Sequence, residues 1–187
     1  MAPVTSFLVS LLVASQAAFT SAAPFEKRTV EQVKADIATI SSQVATLNKN
    51  IQAFPNSGGS ISGALAIHSG AITLANSISK GTADVKNTTG VSSSDAQSIL
   101  QSVQGFEPTI KSALDGIAAK KPAFDAMPIG GISKLAKQDL ATLGNNTSAF
   151  AQQLVNSAPT NMKSTAQSIA NDINAAFAKA QAVYANV

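Results

Sequence analysis

The sequence predicts an all-α fold, an antiparallel bundle of about five amphipathic helices, and three observations carry that expectation. Apolar residues recur three and four positions apart in five successive stretches, a period that strands do not produce. Short breaks bearing proline, glycine and serine separate these stretches, as connections in helical bundles do. Almost no segment alternates apolar with polar residues, and there is no internal repeat or second domain.

The first 28 residues precede the bundle. Residues 1–23 read as a secretory signal peptide: the apolar run Phe7 to Val13 is followed by the small residues Ser21, Ala22 and Ala23. The run is too short to span a bilayer, so no transmembrane anchor is expected, and no lysine or arginine precedes it. Residues 24–28 read as a short pro-segment ending in Lys27-Arg28, a dibasic pair resembling the cleavage site of kexin-type processing proteases. That leaves residues 29–187 as a single domain, 159 of the 187 residues. A domain of this size buries roughly 70% of the surface its unfolded chain exposes.

In the first helix Val30, Val33, Ile37, Ile40, Val44, Leu47, Ile51 and Phe54 recur without a miss, giving about 25 residues and roughly 38 Å of helix. "FPNSGGS" breaks it at Pro55 and Gly58-Gly59. Ser60 is placed to cap the second helix, whose predicted apolar face is Ile61, Leu65, His68, Ile72, Ala75, Ile78 and Val85. The third starts at "SSSD", with Ser93 or Ser94 as cap and Asp95 favoured by the helix dipole. Its stripe is Ala96, Ile99, Val103, Phe106, Ile110, Leu114 and Ile117, and Pro108 within it is expected to kink the helix. "KKPAFDAMPIGG" is a connection with room for one short helical turn. The fourth helix presents Ile132, Leu135, Asp139/Leu140, Leu143, Thr147, Phe150 and Leu154, and "GNN" at residues 144–146 either bends or splits it. Pro159 ends it, and the last helix carries Met162, Ala166, Ile169, Ile173, Phe177, Ala180 and Tyr184.

Composition narrows the chemistry. With no cysteine a secreted domain has no disulfide framework and is held by its core. Without Glu26, Lys27 and Arg28 the domain carries eleven lysines, no arginine and nine acids, dispersed along the chain. Nucleic-acid recognition favours clustered bases and bidentate arginine, so no nucleic-acid partner is expected. One histidine and no cysteine leave no metal site and no cofactor. "GSISG" at residues 59–63 places Ile61 where a nucleophile elbow needs serine, and no strand leads into it. No catalytic residue is assigned, although His68 is the one imidazole base a distant triad would need. Its other roles are a neutral, hydrogen-bonded core residue or a polar group on the wall of an apolar cavity. N-glycosylation sequons begin at Asn87, Asn145 and Asn146, near predicted helix ends.

Apolar binding is the remaining class. The domain has five phenylalanines, one tyrosine and no tryptophan among many Ala, Ile, Leu and Val. Where bulky side chains are missing or a helix kinks, a cavity opens between helices, and an acyl chain filling it gains about 0.8 kcal/mol per buried methylene. The expected lining is Leu65, His68 and Ile72 with Phe106 and Ile110, joined by Phe150 and Phe177; a closed core without cavity is the competing expectation.

The leader, the dibasic site, the opening helix "TVEQVKADIATISSQVATLNKNIQAF", the cysteine-free Ala/Ser-rich helices and the closing "SIANDINAAFAKAQAVY" together resemble the fungal hydrophobic surface-binding protein A family, related to ligand-binding domains of cell-wall galactomannoproteins. The resemblance covers about residues 29–187 and rests on overall pattern. It implies a secreted, non-enzymatic helical domain that adsorbs to hydrophobic surfaces. Some members are thought to recruit secreted hydrolases to apolar polymers, and mannoprotein relatives bind fatty acids among their helices. With one domain and no anchoring stalk or GPI signal, permanent cell-wall attachment is in doubt. No residue-level motif transfers, so the resemblance assigns no binding residue. A structural cell-wall mannoprotein without a significant ligand is the alternative.

Overall fold

The computed structural model describes residues 29–187; the predicted leader and pro-segment lie outside the described residues. Six α-helices follow in order: α1 (Val30–Ala53), α2 (Ile61–Asn87), α3 (Ser93–Ala119), the short α4 (Lys121–Asp125), α5 (Ile132–Ser157) and α6 (Lys163–Val183), the last preceded by a 3-10 turn at Thr160–Met162. The five long helices are the five expected, and α4 is the short turn allowed for in "KKPAFDAMPIGG".

Local chemistry sets the helix starts. Thr29 and Gln32 form a capping box, in which each side chain accepts from the other's backbone N–H, at 3.3 and 2.8 Å. Ser60 accepts from Gly63 N–H, as expected. The cap of α3 is Ser92 rather than Ser93 or Ser94, because its hydroxyl reaches the N–H of Asp95 three residues on. Gly131 starts α5 at φ +97°, a left-handed backbone that favours glycine. "GNN" neither splits α5 nor ends it. Gly144 is needed there for another reason: a Cβ would lie 2.8 Å from Gln181 Nε2 and 3.4 Å from Phe177, so glycine admits α6. α3 likewise runs through Pro108, which is exposed.

The long helices close into a ring in the order α1, α2, α5, α6, α3 and back to α1. Paired residue numbers give the directions. His68 meets Asp139 and Ala75 meets Asn146, numbers rising together, so α2 and α5 run parallel. α1 and α3 are parallel by Lys34–Asp95 and Asn48–Ser112, and α3 and α6 by Asp115–Lys179 and Ile117–Tyr184. Opposite trends make α1/α2 and α5/α6 antiparallel. Successive long helices alternate in direction along the chain, but a ring of five cannot alternate all the way round. α4 packs on α5 and α3, and its Phe124 meets Phe54 edge-on at 5.0 Å, closing one end.

The predicted buried faces of α1 and α3 are found, and α2 differs. Its buried residues include Ala64, Ile67, Ala71, Leu74, Ala75, Ile78 and Val85, whereas Leu65 and Ile72 are each 46% exposed and Ile61 38%. The cause is that α2 is apolar on two faces; it is even long and apolar enough to cross a membrane by length and composition. The inward face is the one that also carries Ala64, Ala71 and Gly81, which let neighbours approach closely: a Cβ on Gly81 would sit 3.2 Å from Phe150 of α5. The inward face thus combines Ile67, Leu74, Ile78 and Val85 with alanines and a glycine, and Leu65 and Ile72 stay outside.

Candidate functional site: an apolar cavity inside the ring

Five helices around one axis leave more space than four. With neighbouring axes about 9.5 Å apart, a regular pentagon puts each axis about 8 Å from the centre, against about 6.7 Å for a square. Bulky residues fill that distance and alanine does not. Ala64, Ala71, Ala113 and Ala136 accordingly border a central cavity of about 110 Å³, to which all five long helices and Phe124 of α4 contribute. The size is comparable to the roughly 150 Å³ apolar cavities that stay dry and take up benzene. A second space of about 40 Å³ lies near Val30, Val85, Ile99 and Met162.

The wall is hydrocarbon except at His68, Asp139 and Thr147. His68 of α2 and Asp139 of α5 meet across the parallel seam, with Nδ1 3.0 and 2.9 Å from the two carboxylate oxygens. Since a carboxylate only accepts, Nδ1–H donates. Both side chains are partly covered, 29% and 15% exposed. Burial pushes the Asp139 carboxyl above the ordinary 3.8, and the hydrogen bond and charge of His68 work against that rise. The same seam is tied one helical stretch further on by Asn146 Nδ2, which donates to Ala75 O at 3.0 Å.

Of the residues expected to line a cavity, His68, Phe106, Ile110, Phe150 and Phe177 do so. Leu65 and Ile72 do not: the inward turn of Ala64 and Ala71 carries them to the outer surface of α2. Sequence reasoning missed the alanines that create the space and the partner of His68. A signal for the partner existed, since Asp139 interrupts the apolar stripe of α5 as His68 interrupts that of α2. Among the described residues no hydroxyl is bonded to His68 and no three metal-ligating side chains come together.

The sequons differ in surroundings. Asn145 is exposed on α5, Asn87 is half-buried at the end of α2, and Asn146 is half-buried with its amide nitrogen committed to Ala75 O. Of the overlapping pair, Asn145 is the more open to solvent.

Comparison with known proteins gives one consistent picture. The family model of hydrophobic surface binding protein A matches residues 30–156. Cell wall mannoprotein 1 of Aspergillus flavus is 28% identical over 151 residues, 81% of this chain and 52% of that protein, so the chain spans about half the length of this relative. Among solved structures, Afmp4p in complex with palmitic acid is 32% identical with a TM-score of 0.76, covering 83% of this chain and 99% of that one. Ligand binding domain 1 of the Penicillium marneffei MP1 protein, complexed with arachidonic acids, is 17% identical with a TM-score of 0.74, covering 83% and 98%; it shares the fold.

Proposed function

Because the chain belongs to the hydrophobic surface binding protein A family, we propose that it is a secreted, non-enzymatic protein that takes fatty acids or similar lipids into its central cavity and adsorbs to hydrophobic surfaces. The observation that carries this reading is the cavity: every long helix contributes apolar side chains to it, and three side chains supply all its polarity. An acyl chain there replaces poorly filled space with contacts worth about 0.8 kcal/mol per methylene, enough over a long chain to offset the cost of immobilising it. The space ready-made is smaller than a long chain needs, so uptake parts the helices. The structure with palmitic acid, nearly all of which this chain covers, supports the same class of ligand.

Native mass spectrometry of the secreted protein, before and after organic extraction, tests this. An acyl-sized adduct that extraction removes and added fatty acid restores, with a rise in melting temperature, is the expected result. No adduct and no thermal shift would overturn the internal-binding reading. A structural cell-wall mannoprotein is the second reading, favoured by the similarity to cell wall mannoprotein 1 and by the exposed Asn145. It predicts glycan on Asn145 and retention in the wall fraction with no ligand. Recruitment of a secreted hydrolase to an apolar polymer is compatible with the first reading and would show as co-depletion on hydrophobic beads.

A further inference from the structure

We infer that His68, held by Asp139 at the α2–α5 seam, is the receptor for a single carboxyl group, so that the cavity selects free fatty acids over their esters; this rests on the lipid-binding reading above. A long-chain acid inside a hydrocarbon cavity has one group to satisfy, and the His68–Asp139 pair is the one ionisable place on its wall. Thr147, the other polar lining residue outside the pair, stands two turns along α5 from Asp139, about 12 Å away.

The pair is built for orientation. Asp139 holds Nδ1–H with both oxygens, which fixes the imidazole plane and, in the neutral ring, leaves Nε2 as the proton acceptor. Nε2 bonds to no described residue. A fatty acid's O–H donates to that lone pair. When the proton passes to Nε2, the ligand becomes a carboxylate and the ring an imidazolium lying between two carboxylates. The total charge of the site is unchanged by the transfer, and no other bond is made or broken. A methyl ester has no proton to give and no charge to gain, and an alcohol donates a hydrogen bond but does not ionise.

The placement suits an entrance. His68 is part exposed and part lining, so it stands between solvent and cavity. Leu65 and Ile72 lie three residues before and four after it on the same line of α2, both on the outside. A tail can slide over this apolar rim and inward between α2 and α5, and the head then comes to rest at the imidazole.

Titration of the delipidated protein with dodecanoic acid, its methyl ester and dodecanol, read by calorimetry, tests the assignment. The wild type is expected to prefer acid over ester about tenfold, the difference between a charge-assisted and a neutral hydrogen bond. His68→Leu should lose the preference for acid over ester; Asp139→Asn should reduce it. If His68→Leu does not fold, His68→Gln, which keeps a polar group without proton transfer, should lose the preference in its place. Equal wild-type affinities for acid and ester, or a preference that survives in His68→Leu, overturns this inference and leaves lipid binding standing. Failure of all three ligands to bind overturns both.

Discussion

Leu65 and Ile72 stand outside, yet nothing near them on α2 is charged: between Ile61 and Ser79 the one ionisable side chain is His68. An exposed apolar line flanked by serine, threonine and asparagine suits contact with an apolar surface better than it suits water. Replacing both, Leu65→Ser with Ile72→Ser, should change stability by no more than about 0.5 kcal/mol, since neither side chain is in the core. Depletion of the protein by hydrophobic beads should fall several-fold while the lipid adduct in native mass spectrometry persists. Unchanged depletion would remove α2 from the adsorbing surface. Periodicity had placed these two residues and His68 on one line, and they are on one line. What a period does not give is the direction that line faces when a helix has two apolar sides; here the side that carries Ala64, Ile67, Ala71 and Leu74 faces inward.

The helices themselves show the same division. Ser60 was readable, and the start of α3 to within a residue, because a cap is a local bargain between one side chain and an N–H three residues on. Gly144 was not, because its reason is the approach of another helix. Asp95 belongs to both worlds: it sits in the first turn of α3, accepts from the Ser92 hydroxyl at 2.6 Å, and pairs with Lys34 of α1 at 2.6 Å. Lys34 first, then Ser92, hold its carboxyl below the ordinary 3.8. A carboxyl lowered in the folded state stabilises above its unfolded value and loses that contribution as pH falls through the folded one. Asp95→Asn should therefore be less stable than the wild type at neutral pH, with the gap closing on acidification from about 3.8 downward. Urea unfolding at neutral pH and at successive acid values measures it; a gap that is constant with pH would mean the carboxylate contributes nothing as a charge.

For the molecule as a whole, five helices and their lengths were legible and the ring was not. Neighbours in the ring are chosen by pairs remote in sequence, such as His68 with Asp139 and Tyr184 with Ile117, which no local pattern records. The ring matters because the cavity is a property of closure: no single helix contains it, and the alanines facing the axis keep it open. The space can therefore be closed from within. Ala136→Leu, on α5 and facing the cavity, adds three heavy atoms where there is room. Each added methylene gains up to about 0.8 kcal/mol if it fits, against 1–3 kcal/mol, on the order of what overpacking costs, if it does not. A melting temperature held or raised, together with loss of the fatty-acid adduct, is the expected outcome. Ala66→Leu, on the exposed side of α2, is the control and should leave the adduct intact. Should Ala136→Leu take up fatty acid with wild-type affinity, the ligand lies elsewhere on the bundle, and the adsorbing surface of α2 becomes the first place to look.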